Sequence, residues 1–565
     1  MLFSQLNVTP AVVNMYSLSS FIFLLMTSTA CAFTQGECIK HDLALTRLAS
    51  QLSPGAAITC RHSPLQEHNA NRYWGEQYSK NATVVVYPLT RDDVSHTVQA
   101  ASSSRLGRDL AFFGGGHGQT NASSTSGFLI DLSWMNSTKI LHNVKLGDIK
   151  VSTAIAYQGG ATWKQVTDIT SNAGFAAVGA RVGDVGVGGF STGGGIGFLA
   201  GAYGYAIDRI RALEVVLMSG RIVLATRTNR YSDLFWALQG GGGQFGIVTT
   251  FYQEAVPEPA SSEFGIWIVA RDSWERARQN TVEFFTSNKD SFSLMYHSLG
   301  YYPEHLITGN LTTTMVLVGI RSADPRSQSS SILDTDGGRS NSTRTSEQPT
   351  EQMNFNATFS GLLRGLDLKQ ASIYNVPYGE ATEFSTPFFP YGFRRGFWGP
   401  QTSKVTESYL AGTSNSMEAY INQSLARGEI PESAVWVLQY MYPNQNGHGP
   451  ASDGETAWPH AQSAHQTLFS PAWESAVDDD FVTQHNDALN KITYDHQASV
   501  GPFIADYPNY ISPKADGYRV WGDNVERLIK IKAKYDPQCR IHQGRVFASG
   551  SCIENGWANI YPPKS

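Results

Sequence analysis

Gly179-Ala-Arg-Val-Gly-Asp-Val-Gly-Val-Gly-Gly-Phe-Ser-Thr-Gly-Gly-Gly-Ile-Gly197 decides how the rest of the chain is read. Glycine loses more backbone freedom on ordering than any other residue, so this density needs a reason. Either the backbone takes positive φ angles, or another body approaches closer than a Cβ allows. Phosphates meet the second description, because successive backbone N–H groups form anion-binding nests. A flexible linker would be rich in serine and poor in large apolar residues, whereas Val182, Val185, Val187, Phe190 and Ile196 are interleaved here. A ligand cradle is the favoured reading, with a glycine-rich structural repeat as the alternative.

Outward from this stretch, the 565 residues are too many for one simple core, so two or more domains are expected. The 12 Trp, 25 Tyr and 28 Phe suggest large cores or an aromatic-lined pocket. A net charge of −6, with no basic run, argues against nucleic acid as a partner.

Near the N-terminus, Leu18 to Met26 is an apolar run followed by Ala30-Cys31-Ala32, which reads as a secretory signal with an A-x-A cleavage site. It is short for a bilayer span, and no stable membrane insertion is expected after cleavage. Cys38, Cys60, Cys539 and Cys552 then remain, and the simplest pairing is local, Cys38 with Cys60 and Cys539 with Cys552; other connectivities stay open. Sequons at Asn81, Asn121, Asn136, Asn310, Asn341, Asn356 and Asn422 support a secreted, N-glycosylated chain.

Along the chain, Ala82 to Tyr87 is a β-branched strand stopped by Pro88, and Thr90 opens a helix with Asp92 and Asp93 in its first turn. Leu110 to Phe113 is a strand that runs into Gly114-Gly-Gly-His-Gly-Gln-Thr120, and Gly127 to Leu132 is another. Gly159 to Trp163 reads as a strand end followed by a helix cap. Strands on either side of Ser219-Gly220 form a hairpin, and a helix over 233–238 ends at Gly240-Gly-Gly-Gly-Gln-Phe-Gly246. A strand begins at Ile247, and Pro257-Glu-Pro259 marks a domain boundary. Residues 260–490 read as longer helical segments with more aromatics, interrupted near 321–350 by a polar stretch expected to be a mobile surface loop. A helix from Gly522 to Tyr535 buries Val525, Leu528, Ile529 and Ile531.

Taken together, Gly114-Gly-Gly-His117, the run from Val185 to Gly197, and Gly240 to Val248 resemble the FAD-linked oxidoreductases of the berberine-bridge-enzyme type, within the vanillyl-alcohol-oxidase superfamily. Tyr507-Pro-Asn-Tyr510, Tyr535-Asp-Pro537 and Trp458-Pro-His460 add to the resemblance. It implies an α+β fold, with a PCMH-type two-subdomain FAD-binding domain plus a substrate domain whose antiparallel sheet is covered by helices. The expected organisation is a signal peptide over 1–32, the first part of the FAD-binding domain over 33–256, a substrate-binding domain over 257–490, and a C-terminal segment over 491–565 that completes the FAD-binding domain.

The resemblance also implies site residues. His117 occupies the position of the histidine bonded to the flavin 8α carbon, which is coherent because a neutral imidazole is nucleophilic. Gly114, Gly115, Gly116, Gly118, Gln119, Gly183, Asp184, Gly188, Gly189, Gly193, Ile247, Val248 and Asn509 are expected around FAD. Family members with two flavin bonds carry a cysteine at the place of Val182, so a single attachment is expected here. Tyr510, then Tyr507, is the candidate base; an ordinary tyrosine pKa near ~10 has to be lowered for that role. His460 and His465 lie close in sequence, but a metal needs three or more convergent ligands and the family uses none, so they are read as structural. The expected function is a secreted FAD oxidase of a small organic molecule, with O₂ as acceptor, in alkaloid or polyketide metabolism including oxidative cyclisation. A carbohydrate or alcohol oxidase, and a flavin-binding protein without turnover, are the alternatives.

Overall fold

The computed structural model describes residues 33–35, 37–69, 72–302, 313–325, 354–428, 433–442, 449–462, 464–512 and 516–561. The signal-peptide reading, the sequons at Asn310 and Asn341, and most of the expected polar loop lie outside these residues. Among the described residues, no helix is long and apolar enough to cross a membrane.

The first sheet holds β1 (Phe33–Gln35), β2 (Ala57–Cys60), β3 (Val84–Tyr87), β4 (Leu110–Phe113) and β5 (Phe128–Asp131), in the order β1-β2-β3-β5-β4. β3, β5 and β4 run parallel, which requires crossovers. Helix α1 (Arg91–Ser103) supplies one of them. It starts where the sequence places it: the Thr90 side chain accepts from Asp93 N–H, and Asp93 reaches back to the Thr90 N–H, a reciprocal capping box. Val94 and Val98 on its inner face are fully buried with Val84, Val86 and Phe128.

The second sheet is antiparallel. It comprises β6 (Thr138–Leu146), β7 (Ile149–Gln158), β9 (Ile210–Val216), β10 (Ile222–Thr226) and β11 (Ile247–Glu254), with β8 (Phe175–Ala176) pairing separately with β12 (Val256–Pro257). After β7 the chain turns through Gly160, where a Cβ would lie 1.7 Å from the Leu132 carbonyl oxygen, into α2 (Trp163–Ser171), capped by Thr162 and Gln165. The centre of the opening glycine stretch winds into a short helix, α3 (Val187–Thr192). The β9–β10 hairpin turns at Gly220, whose φ of +82° explains the glycine. Helix α4 (Ser232–Leu238) then leads into the last glycine run.

Beyond β12 lies a larger antiparallel sheet: β13 (Ser261–Val269), β14 (Ser293–Tyr301), β15 (Thr314–Ser322), β16 (Leu368–Pro377), β17 (Arg394–Arg395), β18 (Gln401–Thr402), β19 (Ser433–Gln439) and β20 (His465–Trp473). Its order is β16-β13-β15-β14-β19-β20-β17, with β18 also on β20. Helices α5 (Trp274–Ser287), α6 (Glu407–Ala426) and α7 (Asp479–Val500) share one aromatic-rich core with it, Trp274, Phe284, Leu410 and Leu489 meeting Trp267, Met295 and Trp436. The polar stretch does not begin at Arg321, which lies in β15 and pairs inside the protein with Asp290 at 2.6 Å.

The chain end returns to the second sheet through α8 (Val525–Tyr535), whose Val525, Leu528 and Ile531 are buried in the core that also holds Leu234 and Phe235 of α4. Lys532 anchors this return, donating to Asp536 at 2.7 Å and to the Gln244 and Ile541 carbonyls at 2.9 and 2.6 Å. Disulfides join Cys38 to Cys60 and Cys539 to Cys552, the local pairing. The sequon residues Asn81, Asn136, Asn356 and Asn422 are exposed, and Asn121 is half-buried.

Candidate functional site

A cavity of about 410 Å³, in the size range of cofactor sites, opens where all three glycine runs converge against the large sheet and the C-terminal return. Gly115 and Gly186 lie back to back: a Cβ on Gly115 would stand 2.4 Å from the Gly186 Cα, so only glycines let the first and second runs meet. Gly189 is different. Its φ is not positive and nothing in the protein lies within 4 Å of where its Cβ would be, yet it lines the cavity. Neither backbone nor packing needs glycine there, which leaves close approach of another body as its reason. The side-chain amide oxygen of Gln119, buried at the same wall, also lacks a partner among the described residues. The glycine floor fits a cofactor with a phosphate spine, and the unmet Gln119 acceptor fits a hydroxyl or N–H of the same group.

The expected residues Gly114, Gly115, Gly116, His117, Gly118, Gln119, Gly188, Gly189, Gly193, Val248, Tyr507, Asn509 and Tyr510 all line this cavity. Three others do not. Gly183 turns the opposite way, its N–H donating to the Thr386 hydroxyl at 3.1 Å and its carbonyl accepting from Lys164 N–H at 2.9 Å. Asp184 follows it outward, where burial raises its carboxyl pKa and Lys164 lowers it. Ile247 lies on the far face of β11, fully buried with Leu110 and Phe128, while its neighbour Val248 faces the cavity, as strand alternation requires.

The two tyrosines differ in kind. The Tyr507 hydroxyl oxygen accepts from Gly195 N–H at 3.0 Å, Ile196 N–H at 3.2 Å and Asn509 Nδ2 at 3.0 Å. Burial pushes its pKa above the ordinary tyrosine value. Tyr507 therefore holds the glycine turn. Tyr510 is half-buried, with its ring edge-on to Phe397 and to Tyr507. Its hydroxyl accepts from Arg181 Nη2 at 2.7 Å.

Arg181 is the residue the sequence reading missed, although it is the sole cation in the opening stretch. Its Nη1 donates to the Tyr296 hydroxyl at 2.6 Å and to Gln439 Oε1 at 2.8 Å, and no ion pair among the described residues includes it. Burial works against its charge, but the phenol oxygens of Tyr296 and Tyr510 outweigh that and raise its pKa. Arg181, Tyr296, Gln439 and Tyr510 all line the cavity.

His117 packs half-buried against Trp74, the two rings within 10° of parallel, and Nε2 lies 2.8 Å from the Tyr391 hydroxyl. Burial, helped by the Arg395 charge, lowers its pKa to about 3, so the imidazole is neutral. His460 is bound to Asp208 at 2.9 Å and to the Trp458 carbonyl at 2.8 Å, while His465 Nδ1 accepts from Met441 N–H; both serve packing. No cluster of three or more His, Cys, Asp or Glu able to hold a metal occurs among the described residues.

Beside Tyr507, Asp506 is fully buried, and burial raises its carboxyl to about 6 against the opposing effects of Arg519 and Tyr494. A raised acid pKa in the folded state means proton uptake on folding. This contribution to stability is complete below the unfolded value near ~3.8 and is lost as pH rises through about 6. Asp506→Asn is expected to remove that component, so the difference in thermal midpoint between wild type and variant should change between pH 4 and pH 6 and be flat above pH 7. Thermal scans across this range check it.

Comparison with known proteins agrees with the geometry. An FAD binding domain model matches residues 82–226, and a "Berberine and berberine like" model matches 506–539. The FAD-linked oxidoreductase pgmH of Aspergillus terreus is 34% identical over 199 residues, which cover 35% of this chain and 38% of that protein. The match thus spans well under half of that relative's length. Among solved structures, Physcomitrella patens BBE-like 1 superposes with a TM-score of 0.67 at 16% identity, covering 88% of this chain and 97% of the other. Glucooligosaccharide oxidase from Acremonium strictum, described as carrying a 6-S-cysteinyl, 8α-N1-histidyl FAD, gives 0.62 at 17% identity over 85% and 94%. These likenesses establish the fold, α+β with the PCMH-type FAD-binding architecture. With an FAD binding domain match in the glycine-rich part and a berberine-like match in the C-terminal return, the chain is similar to the FAD-linked oxidoreductases of the berberine-bridge-enzyme type.

Proposed function

We propose that this protein is an FAD-dependent oxidase of a small organic molecule, with FAD bonded once, at His117, and Tyr510 as the base. The observation that carries the reading is the pairing of Tyr510 with Arg181 on the wall of a glycine-floored cavity. The backbone around Gly114–Gln119, Gly188, Gly189, Gly193 and Gly241–Gly243 would hold the cofactor, with Asn509 beside it. When bound, FAD supplies a two-electron acceptor for a hydride, and O₂ then takes the electrons to give H₂O₂.

The protein's own task is to orient the substrate and accept its proton. Tyr510 presents a hydroxyl to the cavity, and Arg181 places a positive charge and a donated N–H against the oxygen where negative charge develops. Tyr296 and Gln439 fix the other arm of the guanidinium, so Arg181 meets Tyr510 in one orientation. Phe389, Phe397 and Trp74 line the same end and favour a flat, largely apolar substrate. This supports a secondary metabolite such as an alkaloid or polyketide precursor, oxidative ring closure included, over an oligosaccharide.

Single attachment is supported by Val182, which lines the cavity where a second anchor would stand, and by the cysteines at 38, 60, 539 and 552, all engaged in disulfides. The disulfides and exposed sequons support secretion and N-glycosylation. Residues 257–490 are read as the substrate-binding domain. The test is anaerobic bleaching of the flavin by a panel of amines, phenols, alcohols and oligosaccharides, followed by peroxide release on admitting air. Bleaching by an amine or phenol with peroxide in step supports the reading; bleaching by oligosaccharides alone turns it to a carbohydrate oxidase, and none with any compound contradicts turnover.

A further inference from the structure

We propose that Tyr391 is the positioning residue for flavin attachment: its hydroxyl holds the proton of His117 on Nε2 and leaves the Nδ1 lone pair open to the cavity. The inference rests on the reading of His117 as the attachment residue. Two walls fix the imidazole. Trp74 lies parallel to it at a centroid distance of 5.7 Å, and Tyr391 stands edge-on at 86°, its oxygen 2.8 Å from Nε2. Trp74 is itself pinned, its backbone N–H donating to the Gly116 carbonyl and its indole N–H to the Phe389 carbonyl, both at 3.1 Å. Nδ1 has no hydrogen bond among the described residues, yet it is not among the polar atoms sealed away from solvent, and His117 lines the cavity. A neutral imidazole carries one N–H, so a proton on Nε2 leaves Nδ1 as the nucleophile.

The chemistry explains why a phenol suits this place. A bond forms between Nδ1 and the 8α carbon, and one C–H bond of that methyl group breaks. Its electron pair passes into the ring system, which gains two electrons. The methyl proton and the imidazole Nε2 proton are the two protons of the reduced ring, and O₂ then removes both electrons and both protons as H₂O₂. Before the step Nε2–H must donate; afterwards Nε2 is a bare acceptor. A tyrosine hydroxyl can accept in the first state and donate in the second without moving. Phenylalanine can do neither.

Tyr391 comes from the segment leading into β17, and that segment is bound to the strip after Trp74: Glu76 N–H donates to the Phe393 carbonyl at 3.0 Å, and Arg395 N–H donates to Gln77 Oε1 at 3.0 Å. The large-sheet part of the chain thus completes the histidine site of the glycine-rich part. The test uses full-length protein produced without flavin and then supplied with FAD, following flavin fluorescence on denaturing gels and the intact mass. Tyr391→Phe is expected to bind FAD that acid releases, and to attach it at least ~10-fold more slowly than wild type. Tyr391→His, which keeps an atom able to accept and donate, is expected to recover part of that rate. Replacing Tyr391 by 3,5-difluorotyrosine keeps the shape and weakens the acceptor, so attachment should slow even if the phenylalanine variant misfolds. Attachment within twofold of wild type in the phenylalanine and difluorotyrosine proteins would overturn the proposal; wild type without any covalent flavin would instead sink the attachment reading beneath it.

Discussion

Tyr510→Phe is expected to slow substrate-dependent flavin reduction by about 10²–10⁴-fold, the range for a positioned proton acceptor. Flavin content should be unchanged, because the ring contacts with Phe397 and Tyr507 survive the loss of the hydroxyl. Anaerobic stopped-flow reduction reads the chemical step directly and separates it from reoxidation. Arg181→Lys should fall between the two proteins: it keeps a charge but cannot span Tyr510, Tyr296 and Gln439 as the guanidinium fork does. A Tyr510→Phe protein reduced within threefold of the wild-type rate would move the base elsewhere.

The second large effect concerns stability. Lys532 and Asp536 are both fully buried, and the lysine also binds the Gln244 carbonyl next to the third glycine run. Burial lowers the lysine pKa and the facing carboxylate raises it, so the charge depends on its partner. Lys532→Met removes one member and leaves an unpaired buried carboxylate, at a cost of about 3–5 kcal/mol. Equilibrium urea unfolding should show that loss, and retained FAD should fall with it because Gln244 lines the cavity.

What was legible in the sequence was local. The Thr90–Asp93 capping box, the Thr162 cap and the Ser219-Gly220 hairpin are each written within a few residues and sit where the sequence places them. The glycine runs were legible as a cradle because their density had no other economical explanation. Direction within a run was not. Gly183 and Asp184 belong to the same stretch as Gly188 yet face α2 and Thr386, since the backbone turns between them. Ile247 and Val248 are adjacent, and only strand register decides which one faces the cavity. The polar contacts at the substrate end were hidden for another reason: Arg181 is 258 residues from Gln439 and 329 from Tyr510, and His117 is 274 from Tyr391. No periodicity or spacing links such pairs; the packing of the large sheet against the glycine stretch creates them.

On the reading proposed above, one flavin is held in this cavity by one bond. Proteolysis of the denatured holoprotein, with mass analysis of every flavin-fluorescent peptide, tests it most directly. A single fluorescent peptide, containing His117, with one FAD per chain is the expected result. Flavin on a peptide lacking His117, a second attached peptide, or complete release of the flavin on denaturation would contradict it.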